Sequence, residues 1–225
     1  MKFLLTSGGI SNDSIRNALL DLLGKPIAES SALFLPTALY AMPGGATIAW
    51  RLIRGLSGTT PLCDLGWKSL GLLELTALPS IKQENWVPLV QEAEALLVPG
   101  GDNRYFCYWM WQSGLADLLP SLRRETVYVG VSGGSMVVTP TFGGPYDDGT
   151  KLPTGSDQAL RLVDFALSPH LDDEELKTPS PTDLEQWAAS ADVPVYAIDD
   201  QTAIKVVDGV VEVISEGHWK LFTHE

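Results

Sequence analysis

Uninterrupted apolar runs recur along this chain, separated by segments whose apolar residues return every three to four positions. Phe3-Leu4-Leu5-Thr6, Ala32-Leu33-Phe34-Leu35, Leu73 to Leu75, Ala95-Leu96-Leu97-Val98 and Thr126 to Val131 are the runs. A strand that is apolar at every position needs cover on both faces, which predicts a buried, parallel sheet. Between the runs, Asn12 or Asp13 can cap a helix through Leu19, Leu20, Leu22 and Leu23 that stops at Gly24-Lys25-Pro26. A second helix follows Gly44-Gly45, a third covers residues 83–93, an aromatic-rich one begins after Asp102-Asn103, and another lies near Leu115 to Leu119. Strands alternating with helices predict an α/β protein, a three-layer α/β/α sandwich around a mostly parallel sheet.

The rhythm changes after residue 138. Residues 139–160 form a polar stretch too long for a simple connector. Leu162 to Leu167 then reads as a strand ended by Ser168-Pro169, and Val195-Tyr196-Ala197-Ile198 as another. Ala203 to Val207 and Val210 to Ile214 flank Asp208-Gly209, a strong β-hairpin signal at the C-terminal end. No repeat or linker divides the chain, so a single domain over residues 1–225 is expected.

Composition narrows the function. Of 225 residues, 15 are Lys or Arg and 28 Asp or Glu, a net charge of −13, which argues against nucleic acid or anionic membrane as a general partner. Cys63 and Cys107 are too few for a disulfide framework and too far apart for a metal-binding pair. The first apolar run is far shorter than a signal-peptide core, and no run reaches the roughly 20 residues of a membrane span, so the cytoplasm is the expected compartment.

Candidate chemistry centres on Gly130-Val131-Ser132-Gly133-Gly134. This G-x-S-x-G follows an apolar strand and precedes a helix, the context of a nucleophile elbow, where small neighbours permit a tight turn that holds the serine hydroxyl out. A serine nucleophile needs a base, and the chain has three histidines. His224 adjoins the terminus and His218 lies beyond the hairpin, whereas His170 stands at the end of a strand with its direction set by Pro169. A carboxylate to orient the imidazole is offered by Asp199 or Asp200 at the next strand end. Val98-Pro99-Gly100-Gly101-Asp102-Asn103 can bring a second backbone N–H to an oxyanion. The run Asp172 to Glu175 reads as the first turn of a helix, and no metal or cofactor is expected.

Together the segments Val98 to Asn103, Gly130 to Ser135, Ser168-Pro169-His170 and Ile198-Asp199-Asp200-Gln201-Thr202-Ala203-Ile204 resemble the dipeptidase E and cyanophycinase family of serine peptidases. The opening Leu4-Leu5-Thr6-Ser7-Gly8-Gly9 is similar to that family's first strand. The resemblance implies a fold like the class I glutamine amidotransferases, which is flavodoxin-like. It also implies a triad of Ser132, His170 and Asp200 with oxyanion donors at Gly101 and Gly133. A glutamine amidotransferase itself is disfavoured, because neither cysteine stands at the elbow.

The implied substrates are short peptides, with aspartate on the acyl side or a β-aspartyl linkage. Asp102, Asn103 and Arg104 are the candidate substrate-binding residues, with Arg104 the cation nearest the Gly101 loop. The aromatic stretch Tyr105 to Trp111 reads mostly as core or subunit interface, in a monomer or a homodimer. The alternatives are an esterase or amidase of the same fold, or a catalytically degenerate binding or sensor protein. Asp102, Asp147, Asp148, Asp172 to Glu175 and Asp199-Asp200 all fall near the expected site, so a negative rim favouring cationic peptides is expected.

Overall fold

The computed structural model describes residues 1–56, 60–142, 158–173 and 180–223. Its strands are β1 (Lys2–Thr6), β2 (Ser31–Phe34), β3 (Ser69–Leu72), β4 (Ala95–Val98), β5 (Val127–Val131), β6 (Ala166–Ser168), β7 (Val195–Ile198), β8 (Thr202–Val207), β9 (Val210–Ser215) and β10 (Trp219–Phe222). Its helices are α1 (Asp13–Leu23), α2 (Thr37–Tyr40), α3 (Gly45–Ile53), α4 (Val87–Glu92), α5 (Asn103–Gln112), α6 (Leu115–Leu118), α7 (Gly133–Met136) and α8 (Pro181–Ser190).

Five parallel strands lie in the order β3-β2-β4-β5-β1, and β8 and β9 continue this sheet antiparallel beyond β1. Successive side chains of a strand point to opposite faces. Here both faces are filled: Phe3, Leu5, Leu96, Val98 and Tyr128 join the core containing Phe106 and Met110 of α5, while Leu4, Leu97 and Val129 join the one containing Ile15, Leu19 and Leu22 of α1. These two cores make the structure a three-layer α/β/α sandwich. Each fully buried aliphatic side chain contributes roughly 1.5–3 kcal/mol.

Local signals set several boundaries. The side chain of Asn12 accepts from the Ile15 N–H to start α1, and left-handed Gly24 ends it. The β8–β9 hairpin turns through Asp208 and Gly209, whose φ values of 52° and 79° are those a tight two-residue turn demands. The tail also builds a second sheet that the apolar pattern did not announce, in the order β10-β7-β6, with β6 and β7 parallel.

Four elements differ from expectation, the first being the strand read over Leu162 to Leu167, which forms only at Ala166–Ser168. The third strand is Ser69–Leu72 and not Leu73 to Leu75, because Leu73 and Leu75 are buried in the core beyond the strand's end. The helix expected over residues 83–93 begins only at Val87, since Pro88 is tolerated in a first turn but not further in. Asp172 is not helical: it lies in a turn with a φ of 66°, and among the described residues the next helix is the one that begins at Pro181, capped by Ser180. Most of the polar stretch 139–160, from 143 to 157, lies outside the described residues, as do Glu174 and Glu175; its flanks meet in a bridge between Thr141 and Gln158. Among the described residues, no helix is long and apolar enough to cross a membrane.

Candidate active site

Five strands bring their carboxyl ends to one cavity of about 800 Å³: Ser7 follows β1, Gly100-Gly101 follow β4, Ser132 follows β5, His170 lies beyond β6 and Asp200 beyond β7. In open α/β sheets this edge is where ligands bind.

Ser132 has φ 49° and ψ −117°, a conformation that costs a non-glycine residue about 1–3 kcal/mol. The surroundings enforce it. Its N–H donates to the Thr6 carbonyl at 2.9 Å, and its own carbonyl accepts from the N–H groups of Ser135 and Met136 at 2.8 and 3.1 Å. The buried Tyr128 hydroxyl donates to the Gly134 carbonyl at 2.8 Å, and a Cβ on Gly134 would collide with the Val98 and Pro99 carbonyl oxygens. The turn is thus pressed against the end of β4, which is why no larger residue fits there.

His170 Nε2 lies 2.7 Å from Ser132 Oγ, and His170 Nδ1 lies 2.8 Å from Asp200 Oδ1. The hydrogen bond from His170 holds the Asp200 carboxyl below the usual carboxylate range, helped by the Ser7 hydroxyl and the imidazole charge, against the opposing effect of partial burial. Because ionised Asp200 can only accept, Nδ1 carries the proton and Nε2 is left to accept from the serine hydroxyl. The parallel pairing of β6 with β7, Ser168 opposite Ala197, sets His170 and Asp200 side by side.

The adjacent aspartates separate cleanly. Asp199 Oδ1 accepts from the Gln201 N–H at 3.1 Å and the Thr202 hydroxyl at 2.7 Å, and its Oδ2 accepts from the His218 N–H at 2.5 Å. It builds the turn, while Asp200 faces the imidazole. His218 is exposed, with Nδ1 3.6 Å from Asp172; His224 lies outside the described residues.

Gly101, with φ 133°, packs against the Ala38 carbonyl, and its nitrogen stands 3.6 Å from where a Cβ on Gly133 would lie, so the two glycine backbones adjoin beside Ser132. Asp102, Asn103 and Arg104 do not line this cavity. The Asp102 carboxylate caps α5 by accepting from the Tyr105 N–H at 2.8 Å, and the Asn103 amide lies 3.6 Å from the Met136 sulfur. Among the described residues, the cation on the cavity wall is Arg51 of α3, beside the apolar side chains Leu39, Met42, Ile48 and Leu52. The apolar pattern marked that helix, but nothing local to Arg51 announced that α3 shares a cavity with the elbow.

Two further groups complete the inventory. Burial pushes the Cys63 and Cys107 thiols up to about 12, so neither is a nucleophile near neutrality. Asp173 joins His170 and Asp200 in a group whose ligand atoms lie within 4.8 Å of one another. Both imidazole nitrogens already face protein partners, so the donor set does not suit a metal ion. Asp172, Asp173, Asp199 and Asp200 share the wall of an adjoining cavity of about 430 Å³, which makes this side of the site acidic.

A strained serine held at a parallel strand's end within reach of an imidazole defines a hydrolase of the nucleophile-elbow class. Residues 3–214 match the model of peptidase family S51, and the chain belongs to that family of serine-type peptidases. Two solved structures share the fold, each with a TM-score of 0.63. One is a protein from Listeria monocytogenes EGD-e assigned as a peptidase E, 16% identical over 96% of this chain and 98% of that one. The other is a peptidase from an acI-B1 Actinobacterium, 17% identical over 98% of this chain and 90% of that one. No curated protein matches.

Proposed function

We propose that this peptidase hydrolyses short peptides through an acyl-enzyme on Ser132, with His170 as general base and Asp200 orienting the imidazole. The observation that carries the reading is the unbroken relay Ser132 Oγ to His170 Nε2, 2.7 Å, and His170 Nδ1 to Asp200 Oδ1, 2.8 Å. Ser132 Oγ attacks the scissile carbonyl carbon while its proton passes to His170 Nε2. The carbonyl oxygen becomes an oxyanion that accepts from the N–H groups of Gly101 and Gly133, and Asp200 stabilises the imidazolium. As the C–N bond breaks, His170 returns the proton to the leaving amine. Water activated by the same imidazole then cleaves the ester and frees the serine.

A fluorophosphonate probe tests the activation directly. It labels Ser132 in the folded protein, and an unlabelled Ser132 overturns the reading, because only a serine paired with a working base reacts at a useful rate.

The preferred substrate carries an aspartate on the acyl side. Its carboxylate needs a cation, and among the described residues Arg51 is the one on the cavity wall. Hydrogen bonds to charged groups contribute about 1.5–3 kcal/mol, which is roughly 10- to 100-fold. Arg51→Met therefore lowers kcat/KM on Asp-X dipeptides by about that factor and leaves Ala-X dipeptides within about twofold. Equal losses on both series remove Arg51 from substrate recognition.

A further inference from the structure

The opening motif Thr6-Ser7-Gly8-Gly9 is not used by the mechanism above, yet it touches both of the groups that activate Ser132. Ser132 belongs to the seven-stranded sheet, whereas His170 and Asp200 stand at the ends of β6 and β7 in the three-stranded sheet. A relay split between two sheets works only if their relative position is held to a few tenths of an ångström.

Ser7 spans that gap. It follows β1, the neighbour of β5, and is fully buried. Its Oγ accepts from the His170 backbone N–H at 2.7 Å, donates to Asp200 Oδ1, and lies 3.1 Å from His170 Nδ1. His170 sits at φ 59°, a conformation a side-chain-bearing residue adopts only when its surroundings impose it, and the Ser7 hydroxyl is the acceptor for that strained amide. The same loop grips the acid's backbone: Ser11 Oγ donates to the Asp200 carbonyl at 2.5 Å, and the Asn12 amide donates to the Gln201 carbonyl at 2.9 Å. Gly8 permits the approach, since a Cβ there would stand 2.8 Å from that of Asp200.

We infer that Ser7 is a positioning residue of this peptidase, one hydroxyl that fixes the His170 backbone and the Asp200 carboxylate together, and so sets the imidazole against Ser132. The inference rests on the proposed relay. Ser7 borders the cavity, but its hydroxyl is engaged by the His170 N–H and the Asp200 carboxylate, so its loss acts on kcat more than on binding.

The test is Ser7→Ala in the full-length protein, with Ser7→Thr as the variant that keeps the hydroxyl, both shown to be folded by circular dichroism. Outer hydrogen-bond partners of this kind typically carry about 10- to 100-fold in activity. Ser7→Ala is expected to lower kcat, and the rate of fluorophosphonate labelling of Ser132, by about that factor with KM within about twofold. The downfield proton resonance of His170 Nδ1–H, assigned by its loss in Asp200→Asn, shifts and broadens in Ser7→Ala and persists in Ser7→Thr. Unchanged kcat and labelling in Ser7→Ala overturn the inference while leaving the relay intact. If the unsubstituted protein neither hydrolyses peptides nor labels, the relay reading fails. The resonance still decides the case of Ser7, since it needs no turnover, and an unaltered resonance in Ser7→Ala overturns its positioning role.

Discussion

Ser132→Ala is expected to lower kcat by on the order of 10⁶, to the level that binding and the oxyanion donors alone sustain. The loss is this large because the hydroxyl is the only group in the relay that bonds to the substrate; without it His170 and Asp200 have no proton to move. Thermal stability should not fall with it. The imidazole that loses its partner borders an open cavity and can turn to water, so no buried polar group is stranded. The φ of 49° is as unfavourable for Ala as for Ser, so the strain is unchanged. Ser132→Gly releases that strain and should raise stability by about 1 kcal/mol while being equally inactive. Peptide turnover by purified Ser132→Ala above about one thousandth of the parent rate, with the parent shown active in parallel, would falsify the serine mechanism.

How much of this site could be read in advance depended on how local each constraint is. The elbow was legible because its requirements fall within five consecutive residues: Gly130, Gly133 and Gly134 are small where Ser135, the Gly101 loop and the end of β4 press on them. His170 was legible by elimination, with Pro169 fixing the chain beside it. Asp200 was not separable from Asp199 by composition alone, because both are strand-end carboxylates. What separates them is the turn, which commits the oxygens of Asp199 to Gln201, Thr202 and His218. Arg51 and Ser7 were missed for a different reason. Each acts across elements remote in the chain, and an exposed helical arginine or a serine after a strand has no local signature of what packs over it. Among the elements, continuous apolar runs identified the buried parallel strands. The amphipathic edge strand β3 was displaced by a few residues, because its buried leucines serve the core beyond the pairing. The second sheet was hidden because the apolar runs marked strands near β6 and β7, but pairing partners remote in the chain, including β10, leave no local signature.

The adjacent carboxylates allow the second large effect to be tested against its own neighbour. Asp200→Asn keeps the size and most of the contacts of the side chain but lets the amide present either a donor or an acceptor to Nδ1, so the imidazole no longer holds one tautomer. A change of this kind in a serine triad costs about 10⁴ in kcat. Asp199→Asn removes charge from the turn without touching the imidazole. It should leave kcat within about threefold while lowering stability by about 1 kcal/mol, the typical worth of the hydrogen bonds it weakens. The two variants also part on acidification. The folded-state pKa of Asp200 is depressed, so the stability it contributes is present above its ordinary value of 3.8 and is lost as pH falls through the lower folded value. Asp200→Asn abolishes that pH-linked contribution, and the gap in stability between parent and variant should therefore close on the acid side, below about pH 4. Chemical denaturation at pH 7 and at pH 3, beside kcat for each variant, checks both statements. Equal kcat losses in the two variants would mean that the carboxylates share the orienting role, and a gap that widens on acidification would mean that Asp200 is not held ionised in the folded protein.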